Sequence, residues 1–140
     1  MATSRKLLCA VYALISIGAL IATWSQNLAY TGDSANLSTF WTDTKVDPAS
    51  RSITVDIVLL SLAAVIFMVI EARKHRIKFV WAYIIGGLLI AISVTFPLFL
   101  IARELRMADP DADNLRPIDI ALLVLVGIGS AAFVLWVDVF

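Results

Sequence analysis

The sequence predicts an all-α integral membrane protein: a four-helix transmembrane bundle with N- and C-termini cytoplasmic. Three observations predict it. Hydrophobic residues make up 61 % of the chain and charged residues only 16 %, where a soluble domain has about 45–50 % and about 25 %. Four separate apolar runs reach the length a helix needs to cross a bilayer, about 20 residues. Lys and Arg gather at the start of the chain and in its shortest connection, as they do in cytoplasmic segments. With a mean hydropathy of +0.91, 140 residues cannot hide this much apolar surface in a soluble core. Lipid must be the second solvent, and residues 1–140 form a single transmembrane domain.

The first predicted span runs from Leu7 to Trp24, the second from Ile53 to Ile70, the third from Phe79 to Ile101 and the fourth from Ile118 to Phe140. The first follows Arg5 and Lys6 as a signal peptide would, but its apolar run is longer than such a core and no small-x-small cleavage site follows. It is expected to stay as an anchor. Arg5, Lys6, Arg73, Lys74, Arg76 and Lys78 define an inner side. Lys45, Arg51, Arg103, Arg106 and Arg116 fall to the outer side, over much longer connections. With carboxylates included, the inner side is +4 and the outer side −4.

In the first outer connection, Leu37, Phe40 and Trp41 recur at i, i+3 and i+4. This spacing predicts a short amphipathic helix on the membrane surface with its rings at headgroup depth. Asp47-Pro48 then reads as a helix start, since Asp can cap and Pro fits the first helical position. Pro97 removes a backbone donor within the third span and should bend it there. Gly18 and Ala22, and Gly127 and Ala131, are small-xxx-small pairs suited to close helix packing. The second and fourth spans open alike, Val55-Asp56-Ile57 and Ile118-Asp119-Ile120. Two tandem hairpins, if present, would set Asp56 and Asp119 at similar depth.

Ionisable groups inside spans are costly and mark function. Asp56 is the leading candidate, because it lies eight residues past Pro48, beyond the reach of helix-start stabilisation. It is expected to pair with Arg103, whose long stem can snorkel and whose guanidinium can grip both carboxylate oxygens. Glu104, Arg51, Trp24, Gln26, Asn27, Tyr30 and Trp41 could complete one outer binding site with that pair. The alternative for all of them is interfacial anchoring. Asp119 suits a helix N-terminus. No carboxylate or histidine occupies a span centre, which disfavours a proton- or ion-coupled exporter. One Cys and one His leave no metal site, and a zero net charge offers no field for nucleic acid. No cofactor motif is present.

Trp24-Ser25-Gln26-Asn27 with Tyr30, Pro48 to Asp56, Phe79-Val80-Trp81-Ala82-Tyr83, and Phe96-Pro97-Leu98-Phe99-Leu100 with Arg103-Glu104 resemble a family of small four-span bacterial membrane proteins, domain of unknown function 2834. Asp47 departs from the neutral residue expected there. The resemblance covers the first three spans and implies a bacterial inner-membrane protein, with no activity attached. Two functions are then to be weighed. One is a non-enzymatic component binding membrane lipids, a larger membrane protein partner or a second copy of itself. The other is a membrane-embedded isoprenoid cyclase or isomerase. In it a carboxylic acid in an apolar setting (Asp56, with Asp119 or Glu104) would keep its proton and act as acid.

Overall fold

The computed structural model describes residues 3–30 and 37–140. Among them the chain is all helix, without a strand: α1 Thr3–Ala29, α2 Leu37–Asp43, α3 Pro48–His75, α4 Val80–Gly86, a π-helical turn Gly87–Ala91, α5 Ile92–Arg106, a 3-10 turn Asp111–Asn114 and α6 Pro117–Val139. Four segments are long and apolar enough to cross a membrane: Thr3–Ala29, Pro48–His75, Val80–Arg106 and Pro117–Val139. Each contains the core of a predicted span and extends by a turn or more at most ends. The helix predicted around Phe40 and Trp41 forms as α2, although the side chain of Leu37 lies outside the described residues.

The third segment is not a single rod. Tyr83 and Phe99 stack edge to face with ring centroids 5.7 Å apart. On a straight helix 16 residues would separate them by about 24 Å. A Cβ added to Gly86 would stand 3.2 Å from Thr95 Cγ2. The backbone reverses at Ala91, which is extended (φ −176°, ψ 138°), so α4 and the π turn run antiparallel to α5 as a helical hairpin. Gly87 permits the closure: a Cβ there would meet Ile92 Cδ1 at 2.9 Å and Thr95 Oγ1 at 3.0 Å. Pro97 is buried inside α5, and the helix continues through it. The expected bend therefore falls six residues earlier, at the glycine-rich turn.

The direction of each helix follows from its contacts. α5 runs parallel to α3, because Phe67 meets Phe96 and Glu71 meets Arg103. It runs antiparallel to α1, because Arg5 meets Glu104 and Ser16 meets Val94. α6 runs parallel to α1, with Ser4 bonded to Asp113 near their starts and Gln26 to the carbonyl of Asp138 near their ends. α5 is about 22 Å long at 1.5 Å per residue, short of the ~30 Å hydrocarbon core. The hairpin enters and leaves at the end of the bundle where α1 begins. Residues 3 and 139 consequently lie at opposite ends, and the expectation that both termini share a side, which assumed a straight third span, does not fit this arrangement. The tandem-repeat idea fails for the same reason: α3 and α6 are antiparallel, and Asp56 and Asp119 sit at opposite ends.

The packed core is small. Met68, Ala72, Ile77, Val80, Ile84 and Phe99 are buried where α3, α4 and α5 meet. The link between α3 and α4 is tight. Arg76 adopts the left-handed conformation (φ 55°), and the Ile77 N–H reaches back to the Ala72 carbonyl at 2.9 Å. That is the 6→1 bond which closes a helix C-terminus, a place usually given to Gly. Phe79 is also left-handed (φ 63°). α6 buries none of its residues.

Candidate functional site

The break in the third segment leaves the Ile90 carbonyl without a following helical N–H, and a bilayer supplies no water to satisfy it. α1 sends two side chains to this region. Ser16, buried in the middle of α1, donates from Oγ to the Val94 carbonyl at 2.8 Å, and Trp24 Nε1 donates to the Ile90 carbonyl at 3.2 Å. The irregular tip is thus tied to protein, as non-helical backbone at membrane depth requires.

At the open end of the hairpin the charges converge. Arg103, on the last turn of α5, donates from Nε to Glu71 Oε2 at 2.6 Å and from Nη1 to Asp111 Oδ2 at 2.6 Å. Its guanidinium also lies over the Phe67 ring, 5.5 Å from the centroid. Glu71 faces Lys74 and His75 one turn on, at 3.9 and 3.2 Å. Glu104, fully buried, accepts the Asp111 N–H at 2.9 Å through Oε1 and stands 3.7 Å from Arg5 Nε. Arg5 in turn donates to the carbonyls of Met107 and Ala108 at 2.8 and 3.3 Å, closing the end of α5. Oε2 of Glu104 has no hydrogen-bond partner among the described residues. This network draws on α1, α3, α5 and the 3-10 turn, and it fixes where the hairpin ends.

The residues singled out from the sequence separate into two groups. Arg103 and Glu104 belong to this network. Asp56 does not: it is exposed near the other end of α3, and no hydrogen bond or ion pair joins it to any described residue. The expected Asp56–Arg103 pair is corrected by the fold-back, which carries Arg103 to the far end of the bundle. Asp119 closes a reciprocal cap at the start of α6, accepting from the Arg116 N–H at 3.0 Å and from its guanidinium at 3.1 and 3.2 Å. Gln26 reaches the Asp138 carbonyl at 3.4 Å, and Asn27 is half-buried. Tyr30, Trp41 and Arg51 gather around α2 and the start of α3. Tyr30 stacks edge to face on Phe40 at 5.5 Å and bonds to Asp43, and that hydrogen bond is the main cause that raises its phenol above the ordinary value. Phe40 meets Trp41 at 5.7 Å.

Arg5, Glu71 and Asp111 were not recognised as site residues from sequence. Glu71 reads as one more charge in a basic run, and nothing local links it to a residue 32 positions later. The adjacent pair Gly86-Gly87 was the available signal, because paired glycines inside an apolar run permit a close approach of backbones. Among the described residues no group of three or more metal-ligating side chains occurs.

A family model described as a protein of unknown function, DUF2834, matches residues 11–105. The chain belongs to this family. The match runs from within α1 through nearly all of α5, and so includes the hairpin and both its glycines, while the first turns of α1 and all of α6 fall outside it. No curated protein and no solved structure matches the chain.

Proposed function

We propose that this protein is a non-enzymatic component of the bacterial inner membrane that binds lipid, with its N-terminus cytoplasmic and its C-terminus outside. One observation carries the reading. With the hairpin folded back, Arg5, Lys6, Arg73, Lys74, Arg76, Lys78, Arg103, Arg106 and Arg116 share one end of the bundle, leaving Lys45 and Arg51 at the other. A straight third span divides the same residues six to five; the hairpin divides them nine to two, the asymmetry that a cytoplasmic end should have. Of the nine, Arg103 and Arg5 are committed to the network, and the exposed Lys6, Arg73, Lys74, Arg76 and Lys78 form a cluster suited to anionic headgroups. α2 then lies along the outer surface with Phe40 and Trp41 at headgroup level.

The test is lipid retention. The full chain, extracted in mild detergent and examined by native mass spectrometry, should keep phosphatidylglycerol or cardiolipin in preference to phosphatidylcholine. Substituting Lys6, Arg73, Lys74 and Lys78 with Gln should remove most of that preference; equal retention of all three lipids by the unaltered protein would reject the reading.

A second reading, an enzyme on an isoprenoid-type substrate, is favoured by one feature: the Oε2 of fully buried Glu104, which has no hydrogen-bond partner among the described residues. Asp56 and Asp119 stand at opposite ends and cannot act as a pair. Turnover of a polyprenyl substrate that is lost in Glu104→Gln would establish it.

A further inference from the structure

We infer that the groove between α2 and the first turns of α3 holds one anionic phospholipid of the outer leaflet, at a site separate from the basic end. The groove measures about 550 Å³, and its walls include Trp41, Lys45, Arg51, Val55 and Val58. Arg51, Val55 and Val58 are spaced i, i+4 and i+7, so they form one stripe on α3. The stripe passes from a cation to bare apolar surface over about 10 Å. That order, charge outermost and hydrocarbon deeper, matches the order of groups along a phospholipid entering from the outer face.

The cations are arranged for a ligand rather than for each other. Arg51 donates from Nε to the Lys45 carbonyl at 2.8 Å, which fixes the guanidinium beside the second cation. Among the described residues, no protein acceptor takes its terminal nitrogens or Lys45 Nζ. Carboxylates are close in sequence but turned to other uses. Asp43 is bonded to Tyr30, and Asp47 caps α3 through the Ser50 N–H at 2.8 Å. Asp56 lies about 100° around the helix from Val55, and none of the three lines the groove. These are the two cations left at this end of the bundle, and both border the same groove. Two donors of fixed spacing above an apolar channel fit a phosphate with an acyl chain below it.

The experiment uses the full chain in nanodiscs with phosphatidylglycerol carrying a diazirine on an acyl chain. Irradiation should place the label on α2 and α3, on or beside Trp41, Val55 and Val58, and excess phosphatidylglycerol should compete it away where phosphatidylcholine does not. Arg51→Gln and Lys45→Gln should each weaken this labelling about five-fold, and Val58→Trp, which fills the channel, should abolish it while circular dichroism still reports the helices. Labelling absent from this face in the unaltered protein, or displaced equally by both lipids, overturns the proposal. Glutamine substitutions at Lys6, Arg73, Lys74 and Lys78 should leave the groove labelling intact, so the two lipid sites succeed or fail separately.

Discussion

Glu71 and Arg103 sit on the last turns of two parallel helices and meet at 2.6 Å, each largely buried. Helices joined by a four-residue turn would ordinarily be antiparallel, and their C-terminal ends would lie far apart. The contact exists because α4 and the π turn travel inward and α5 brings the chain back. Removing either partner leaves the other with fewer contacts and little water: Arg103 keeps Asp111, and Glu71 keeps Lys74 and His75. Glu71→Gln and Arg103→Ala should each destabilise the bundle by about 2 kcal/mol, measured by denaturant titration in micelles. Asp56→Asn, at an exposed position with no partner among the described residues, should stay within about 0.5 kcal/mol of the parent. Comparable loss in Asp56→Asn and Arg103→Ala would restore the pairing expected from sequence.

The hairpin sets the sidedness of everything after it. In a Cys9→Ala background, single cysteines at positions 46 and 140 should react with an impermeant thiol reagent added to intact cells. Cysteines at 75 and 112 should react only after lysis. A straight third span reverses the outcome at 112 and at 140, so those two positions decide.

Gly87 should be far less replaceable than Gly18, Gly127 or Gly129. A Cβ there would collide with Ile92 and Thr95, and overpacking of this kind costs about 1–3 kcal/mol. Gly87→Val should sit at the upper end of that range and lower the helicity retained on heating. At Gly18 and Gly129 an added Cβ meets nothing within 4 Å. Alanine at either should be neutral or stabilising by up to about 1 kcal/mol.

Ser16→Ala and Trp24→Phe each remove a donor from the carbonyls near the hairpin tip. Trp24→Phe should cost about 1–3 kcal/mol, the penalty for a polar group left without its partner, and Ser16→Ala about 0.5–1.5 kcal/mol, one net hydrogen bond, because the Val94 carbonyl keeps its bond within α5. Hydrogen exchange should show the loss locally, with faster exchange between residues 86 and 95 and little change in α3. Uniform acceleration throughout the bundle would refute the local role.

The four apolar segments were legible in the sequence because bilayer thickness imposes a length and lipid imposes a composition, and both are properties of a single stretch of chain. The start of α3 was legible too, since Asp47 and Pro48 form a local cap. The reversal was not. An apolar run with two adjacent glycines has the same hydropathy whether it crosses or doubles back. The difference lies in pairings such as Tyr83 with Phe99, which no local pattern encodes. The even balance of six cations against five argues against a straight third span, because a correct topology usually divides Lys and Arg more sharply. A straight third span would carry Arg103 and Glu104 to the far end of the bundle; the hairpin keeps them at a helix end, but the one where α1 begins.

The bonds from Ser16 and Trp24 to the hairpin also bear on how the protein is made. The Ile90 carbonyl, past the end of the π turn, is one that lipid cannot satisfy, and its donor, Trp24, belongs to a helix synthesised some sixty-five residues earlier. Translation from the N-terminus delivers α1 to the membrane before the hairpin leaves the ribosome. A circular permutant that placed α1 last would present the same contacts in the reverse order, with the broken backbone waiting in hydrocarbon for its partner. The order of the helices along the gene is therefore part of what makes an incomplete crossing tolerable.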